Sequence, residues 1–210
     1  MEITLRLERE EDFRRVEEIT REAFWNHHVP GCDEHFLIRN LRGSERFIPA
    51  LDFVAVCGGK LIGSIVYMEA SIRVGENEHR VLTFGPLSVL PEYQRKGIGS
   101  ALVRHTLPLA KELGYGAVII YGDPAYYTRF GFKASKEFSI ANNEKKYPAA
   151  LLVLELVPSA LAGIEGIFEE GADYAIDPKE AEEFDKSFNA KEKLVTESQE
   201  KFKKIAGTYL

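Results

Sequence analysis

The pattern of apolar and polar residues predicts one strand and two helices at the start of the chain. Residues 2–8 alternate apolar and polar side chains, which is typical of a half-buried strand. Residues 13–24 carry apolar side chains at helical spacing behind three acidic residues, an arrangement that favours an amphipathic helix. A second helix is predicted over residues 33–41, with Asp33 as its candidate N-cap.

The middle of the chain has the pattern of a mixed sheet. Residues 51–57, 60–74 and 81–89 are consecutive strand-like runs with short connections, so antiparallel pairing is expected. A helical pattern over residues 97–113 and the apolar run 117–121 then complete a β-α-β unit with one parallel crossover. Two more strand-like runs follow, at residues 132–140 and 150–157. The predicted fold class is α/β (α+β), with a mixed, mostly antiparallel sheet of about seven strands.

The composition changes after Pro158. A glycine-punctuated stretch is followed by two short predicted helices, at residues 178–188 and 197–206, which begin with an Asp-Pro pair and a capping box. We therefore divide the chain into a domain of residues 1–157 and a C-terminal extension of residues 158–210, made of a strand or loop and two short helices.

Two glycines open the helical pattern after the third strand. Gly97 and Gly99 have no side chains, so a ligand can approach the first helical turn, whose free N–H groups favour an anion such as phosphate. The dinucleotide-binding fingerprint is disfavoured because Leu102 stands at its third glycine, although Asp123 lies at a tolerable distance for a ribose acid. The phosphate loop G-x-x-x-x-G-K-[ST] has no match in the chain.

The strand before this turn is interrupted by Gly85 and Pro86. Proline cannot donate a ladder hydrogen bond, so the strand should bulge or splay from its neighbour and free the backbone groups of residues 87–89. Free amides next to an anion-binding helix start suit a long ligand with amides in one arm and phosphates further along. Coenzyme A has that layout.

Two motifs in this region resemble those of a known family. Gln94, Gly97 and Gly99 match the acyl-CoA pattern Q/R-x-x-G-x-G/A of the GNAT superfamily of N-acetyltransferases. Tyr127 stands four residues before a Gly-Phe pair, as in a later motif of that family. The resemblance covers about residues 1–157 and implies a fold of the acyl-CoA N-acyltransferase type, with helices on both faces of the sheet.

The resemblance also implies roles for individual residues. The backbone of Leu87 would polarise the thioester carbonyl of acetyl-CoA, the backbone of Val89 would hold the pantetheine arm, and Tyr127 would protonate the departing thiolate. Packing in an aromatic cluster is the alternative role for Tyr127, and a solvated surface position is the alternative for Arg95 and Lys96. The implied cofactor-binding residues are Leu87, Ser88, Val89, Gln94, Arg95, Lys96, Gly97, Ile98, Gly99 and Ser100.

The general base is left unassigned. Some family members carry a glutamate four residues before the position of Leu87, where this chain has Thr83, which cannot accept a proton at neutral pH. Four candidates remain open, each with an ordinary surface or structural role as its alternative: Glu22, His28, Glu69 and His79.

The implied function is transfer of an acetyl or other acyl group from acetyl-CoA to a primary amine, by direct attack in a ternary complex. The acceptor would be a small molecule or a peptide, and its identity has no readable motif. Two other interpretations stay open. A non-catalytic acyl-CoA sensor would keep residues 87–100 and make Tyr127 dispensable, whereas a protein-interaction module would work through the acidic tail.

Charge and hydrophobicity exclude other classes. The 210 residues are 45% hydrophobic and 29% charged with a net charge of −6, an ordinary soluble composition. No basic stripe is present, so no nucleic-acid partner is expected. No apolar run approaches the roughly 20 residues of a membrane span, and the N-terminal residues do not resemble a signal peptide. A cytoplasmic protein without a membrane partner is predicted.

Three further expectations concern the two cysteines, the loop of residues 27–35 and the C-terminal helices. Cys32 and Cys57 should be reduced thiols. Metal-ligating residue types occur within residues 27–35, but their spacing fits no recognised zinc pattern, so no metal is predicted and a loop lining the acceptor pocket is preferred. The short C-terminal helices should pack on their own core or on a second copy, which makes a homodimer one expected assembly.

Overall fold

The computed structural model describes residues 2–210, which contain nine strands in one sheet. The strands are β1 (Thr4–Leu7), β2 (Phe53–Cys57), β3 (Lys60–Val74), β4 (Asn77–Val89), β5 (Ala117–Tyr121), β6 (Lys133–Ala134), β7 (Ile140–Ala141), β8 (Leu151–Glu155) and β9 (Gly166–Glu169). The helices are α1 (Phe13–Phe24), α2 (Glu34–Leu41), α3 (Ile98–Glu112), α4 (Pro124–Tyr127), α5 (Pro178–Asp185) and α6 (Glu197–Ala206). None of the helices in these residues is long and apolar enough to cross a membrane.

The main path of the sheet runs β1-β2-β3-β4-β5-β8-β6. Along it, β4 and β5 are parallel and the other neighbours are antiparallel. Helix α3 connects β4 to β5, which gives the expected crossover because parallel neighbours need a long connection. The prediction of a mixed, mostly antiparallel α/β sheet is confirmed.

The sheet has nine strands where the sequence predicts about seven. The single strand predicted over residues 132–140 is divided into β6 and β7 by the 3-10 turn Ser135–Phe138. Ser139, with φ of 54°, lies in the left-handed region and is incompatible with an extended strand. Strand β9 is the second addition, and it pairs antiparallel with β3 and parallel with β7.

Helices cover both faces of the sheet, as predicted. On one face, Val16 of α1 packs with Val66 of β3, and on the other, Leu102 of α3 packs with Ile65 of β3. All four side chains are fully buried. Successive residues of a strand point to opposite faces, so neighbouring positions of β3 serve two separate cores.

The C-terminal extension packs against the preceding domain through a strand and two helices. Strand β9 contributes Phe168, whose side chain is buried in the core. On α5, Asp185 accepts a hydrogen bond of 2.6 Å from the Arg21 guanidinium of α1. The Phe202 ring of α6 stacks on His28 with ring centroids 4.2 Å apart. The division into domain and extension, like the homodimer, stays a prediction.

Candidate active site

Strand β4 carries a bulge at its Gly-Pro step. Leu87 pairs with Ile65 of β3, whereas Phe84 pairs with Tyr67, so two residues of β4 face a single residue of β3. The predicted bulge is confirmed. Beyond the bulge, β4 also diverges from β5. Within residues 2–210, these two parallel strands pair only at Leu82 and Val118. A gap therefore opens in the sheet.

Peptide groups of β4 face this gap. The Leu90 N–H donates to the Ile62 carbonyl of β3 at 2.9 Å, and peptide directions alternate along a strand. The peptide groups of Leu87 and Val89 therefore point away from β3 and into the gap. One of these groups already has a hydrogen-bond partner, because the Gln94 side-chain amide donates to the Val89 carbonyl at 3.0 Å. The N–H groups of Leu87 and Val89 are left facing the gap.

The gap leads to the start of helix α3. Gly97 precedes the helix with φ of 87°, a conformation that favours glycine, and no described atom lies within 4 Å of the place of a Cβ there. At Gly99, a Cβ would lie 2.8 Å from the Tyr126 hydroxyl. The first helical N–H groups have no partner within the helix, and they lie beside two positions that have no side chain, which is suitable geometry for an anion.

These features line one cavity of about 740 Å³. It contains nine of the predicted site residues: Leu87, Val89, Gln94, Arg95, Gly97, Ile98, Gly99, Ser100 and Tyr127. Ser88 and Lys96 project elsewhere. The Ser88 hydroxyl donates to the buried Thr20 hydroxyl at 3.0 Å, and the Lys96 ammonium donates to the Glu92 carbonyl at 2.7 Å. Their side chains therefore serve local structure.

Tyr127 lies on α4 and lines the same cavity. Its ring packs on Phe84 and Phe132, with centroid distances of 5.7 Å to each. Its hydroxyl has no hydrogen-bond partner within residues 2–210, and it lines the cavity. Burial raises the pKa of the Tyr127 phenol, so the group stays protonated at neutral pH and can donate a proton.

A family model described as an acetyltransferase (GNAT) domain matches residues 4–135. The chain belongs to the GNAT family. This match contains β1 to β5 and both motifs that carry the resemblance in the sequence, so the predicted family is confirmed.

Named relatives and solved structures agree with this assignment. The chain is 31% identical over 113 residues to the uncharacterized N-acetyltransferase YjhQ of Escherichia coli K12, an alignment that covers 54% of this chain and 59% of YjhQ. It is 32% identical over 111 residues to the uncharacterized N-acetyltransferase YhbS of the same strain, covering 53% of this chain and 65% of YhbS. The aligned regions thus span less than two thirds of either relative.

Two solved structures share most of the fold. The crystal structure of Escherichia coli YhbS in complex with CoA has a TM-score of 0.72 and 25% identity, covering 82% of this chain and 91% of that one. A GNAT family acetyltransferase from Brucella melitensis in complex with acetyl-CoA has a TM-score of 0.67 and 27% identity, covering 83% and 99%. The fold class of the GNAT chain is therefore confirmed.

Three of the four base candidates lie outside the cavity of this GNAT chain. Glu22 pairs with Lys191 at 2.7 Å, and Glu69 pairs with Arg80, while His79 lies on the outer part of β4. His28 does line the cavity, but its ring bonds Glu34 and stacks on α6.

The cavity also contains residues that no sequence motif predicts, among them Glu170 and Tyr174. Both belong to the C-terminal extension, just after β9. The Tyr174 hydroxyl donates to the Gly85 carbonyl at the bulge, at 3.3 Å. Local pattern gave no signal for them, because their proximity to β4 depends on how β9 pairs with β3.

The histidine and cysteine residues before α2 form local contacts. Cys32 Sγ lies 3.6 Å from His35 Nδ1, and burial raises the pKa of the Cys32 thiol, which keeps it protonated. Residues 2–210 contain no group of three side chains arranged to hold a metal ion. Two residues of this loop, His27 and His28, line the cavity, and the role of the loop in an acceptor pocket stays a prediction.

Gly122 makes room for the Tyr127 ring, and this provides a test of the ring position. A Cβ at Gly122 would lie 2.3 Å from Tyr127 Cε2, although the backbone there is not in the left-handed region. We expect Gly122→Ala to displace the ring and lower turnover about tenfold, less than the loss of about 10²-fold expected when the acid itself is removed. Gly43→Ala is the control, because the nearest atom there is at 3.4 Å. Equal steady-state rates for both variants would contradict the assigned ring position.

Proposed function

We propose that this GNAT chain transfers an acetyl group from acetyl-CoA to a primary amine, by direct attack in a ternary complex. The main support for the proposal is the gap between β4 and β5. Because of this gap, the outward-facing N–H groups of β4 lie in the same cavity as the start of α3. The two solved relatives named in complex with CoA and acetyl-CoA support it.

The residues present fit the cosubstrate. The N–H groups at the start of α3, from residues 97 to 100, suit the pyrophosphate, and Arg95 adds a positive side chain in the same cavity. The N–H of Val89 faces the path of the pantetheine amides. Acetyl-CoA supplies the acetyl group as a thioester, and the protein supplies position and charge.

Two groups would act on the reacting atoms. The Leu87 N–H donates a hydrogen bond to the thioester oxygen, which stabilises the negative charge that develops when the amine attacks. The Tyr127 hydroxyl gives its proton to the sulfur as the carbon–sulfur bond breaks. A neutral phenol with no competing hydrogen bond within the described residues is suited to that donation.

Release of free thiol from acetyl-CoA across a panel of amines tests the proposal. We expect thiol release that depends on the amine, with one acetylated amine formed for each thiol. Binding of acetyl-CoA without any thiol release would instead identify a sensor. The cytoplasmic location and the small-molecule or peptide nature of the acceptor remain predictions.

A further inference from the structure

The Glu170 carboxylate faces the active-site cavity without a partner. Glu170 follows β9 directly, and within residues 2–210 its carboxylate makes no hydrogen bond or ion pair. The other acids of the same cavity are engaged. Glu34 bonds the His28 ring at 3.0 Å, and Asp123 pairs with Lys201 at 3.0 Å. Glu170 is thus the available carboxylate among the described residues of the cavity.

The turn that carries Glu170 is fixed at both ends. Before it, β9 pairs with β3. After it, the Asp173 carboxylate accepts a hydrogen bond of 2.8 Å from Arg46 Nε, and the Tyr174 hydroxyl bonds the Gly85 carbonyl. Gly171 has φ of 101°, and a Cβ there would overlap the Arg46 guanidinium. The position of the carboxylate is therefore built into the fold.

Glu170 lies at the end of the gap opposite to the phosphate-binding turn. Along β4, Val89 leads towards the start of α3, whereas Gly85 leads towards Tyr174. An acetyl group held at Leu87 would lie between these two ends. An acceptor that reaches it from the Gly85 end must pass Glu170, so this carboxylate faces the incoming amine.

We propose that Glu170 binds the ammonium group of a cationic alkylamine acceptor and takes its proton before attack. This inference rests on the proposed acetyl transfer and makes the C-terminal extension part of the active site. Thr83, which stands four residues before Leu87 on β4, is fully buried and has no group that accepts a proton. The carboxylate directly after β9 would supply that function.

The proton balance is complete. An alkylammonium has a pKa of about 10.4, as in lysine, so it must lose a proton to become a nucleophile. Glu170 takes that proton, the nitrogen–carbon bond forms, and the carbon–sulfur bond breaks. Tyr127 protonates the sulfur and recovers a proton from the new amide nitrogen. Glu170 then releases its proton to water, so one proton is produced for each acetyl group transferred.

The surroundings of Glu170 match this role. Burial raises the pKa of the Glu170 carboxyl to about 7, which brings its basicity close to neutral pH. The titratable groups that face it are the phenols of Tyr121 and Tyr174, whose pKa values burial also raises, so both are neutral. Arg46 and Asp173 pair with each other nearby. Turnover should therefore fall as the pH drops below 7 and Glu170 becomes protonated.

Steady-state rates over a range of pH test the assignment with two acceptors, n-butylamine and benzhydrazide. The first is an ammonium ion at neutral pH and the second is uncharged. We expect Glu170→Gln to lower kcat/KM for n-butylamine about 100-fold, as for loss of a general base. We also expect the variant to lose the fall in rate below pH 7. The loss with benzhydrazide should be much smaller, and Glu170→Asp should keep part of the activity.

Glu169→Gln is the matched control. Glu169 is the adjacent acid, but its carboxylate pairs with Arg73 at 2.6 Å outside the cavity. This variant should keep the rates and the pH profile of the wild type. Calorimetric affinity for coenzyme A should be the same in Glu170→Gln and the wild type, because the residue lies away from the phosphate-binding turn.

Two results would overturn the assignment of Glu170 while leaving acetyl transfer in place. One is full turnover of n-butylamine by Glu170→Gln. The other is a pH profile in which His27→Gln loses the fall in rate below pH 7 and Glu170→Gln keeps it. His27 is another titratable group of the cavity. If the wild type released no thiol with any amine, the proposed function itself would fail, and this inference would fail with it.

Discussion

Tyr127→Phe is expected to lower the turnover of acetyl-CoA about 100-fold, the lower end of the usual contribution of general acid catalysis. The substitution keeps the ring that packs on Phe84 and Phe132 and removes only the hydroxyl. That hydroxyl bonds no other described residue, so the melting temperature and the coenzyme A affinity should stay unchanged. Thiol release in steady state measures turnover, calorimetric titration measures the coenzyme A affinity, and a thermal melt measures the melting temperature.

The neighbouring tyrosine provides the comparison. The Tyr126 hydroxyl lies 3.5 Å from Ser100 Oγ at the start of α3, so it belongs to the end of the cavity proposed to bind phosphate. Tyr126→Phe should change coenzyme A affinity by a few-fold at most and leave turnover close to wild type. Full activity of Tyr127→Phe with its true acceptor would assign the proton to water or another residue and reduce Tyr127 to packing.

Gly97→Glu is expected to weaken coenzyme A binding at least tenfold, or about 1.4 kcal/mol. A side chain here must adopt φ of 87°, it would fill the open space beside the first helical N–H groups, and it brings a negative charge to a phosphate site. Isothermal calorimetry with coenzyme A measures the loss directly.

Gly114→Glu separates this local effect from backbone strain and added charge. Gly114 lies beyond the other end of α3, has φ of 92°, and has no described atom within 4 Å of a Cβ. The variant therefore carries the same strain and the same charge far from the cavity. We expect wild-type affinity for coenzyme A. Equal affinities in both variants would place the pyrophosphate elsewhere.

The end of the cavity proposed to hold coenzyme A was predictable, because its causes are local. Pro86 cannot donate a ladder hydrogen bond, and Gly97 permits a left-handed turn, whatever the rest of the chain does. The bulge and the turn therefore follow from adjacent residues. The directions of the side chains were harder to predict. Ser88 and Lys96 lie in the same motif, yet the Ser88 hydroxyl bonds Thr20 and the Lys96 ammonium bonds the Glu92 carbonyl.

The end of the cavity proposed to admit the acceptor was not predictable, because it depends on distant pairing. Glu170 and Tyr174 are about eighty residues beyond β4 in the chain, and they reach the cavity through the pairing of β9 with β3. The left-handed conformation of Ser139 was also not predictable from the sequence, because serine has no strong preference for it. One strand was consequently predicted where the structure has β6 and β7.

Transfer of an isotopically labelled acetyl group tests the central claim most directly. Labelled acetyl-CoA would be incubated with the protein and an extract of small molecules and peptides, and the products would be searched by mass spectrometry for the label on nitrogen. We expect a labelled N-acetyl product that depends on the protein and falls about 100-fold with Tyr127→Phe. Bound acetyl-CoA that yields no labelled amide from any amine would contradict it.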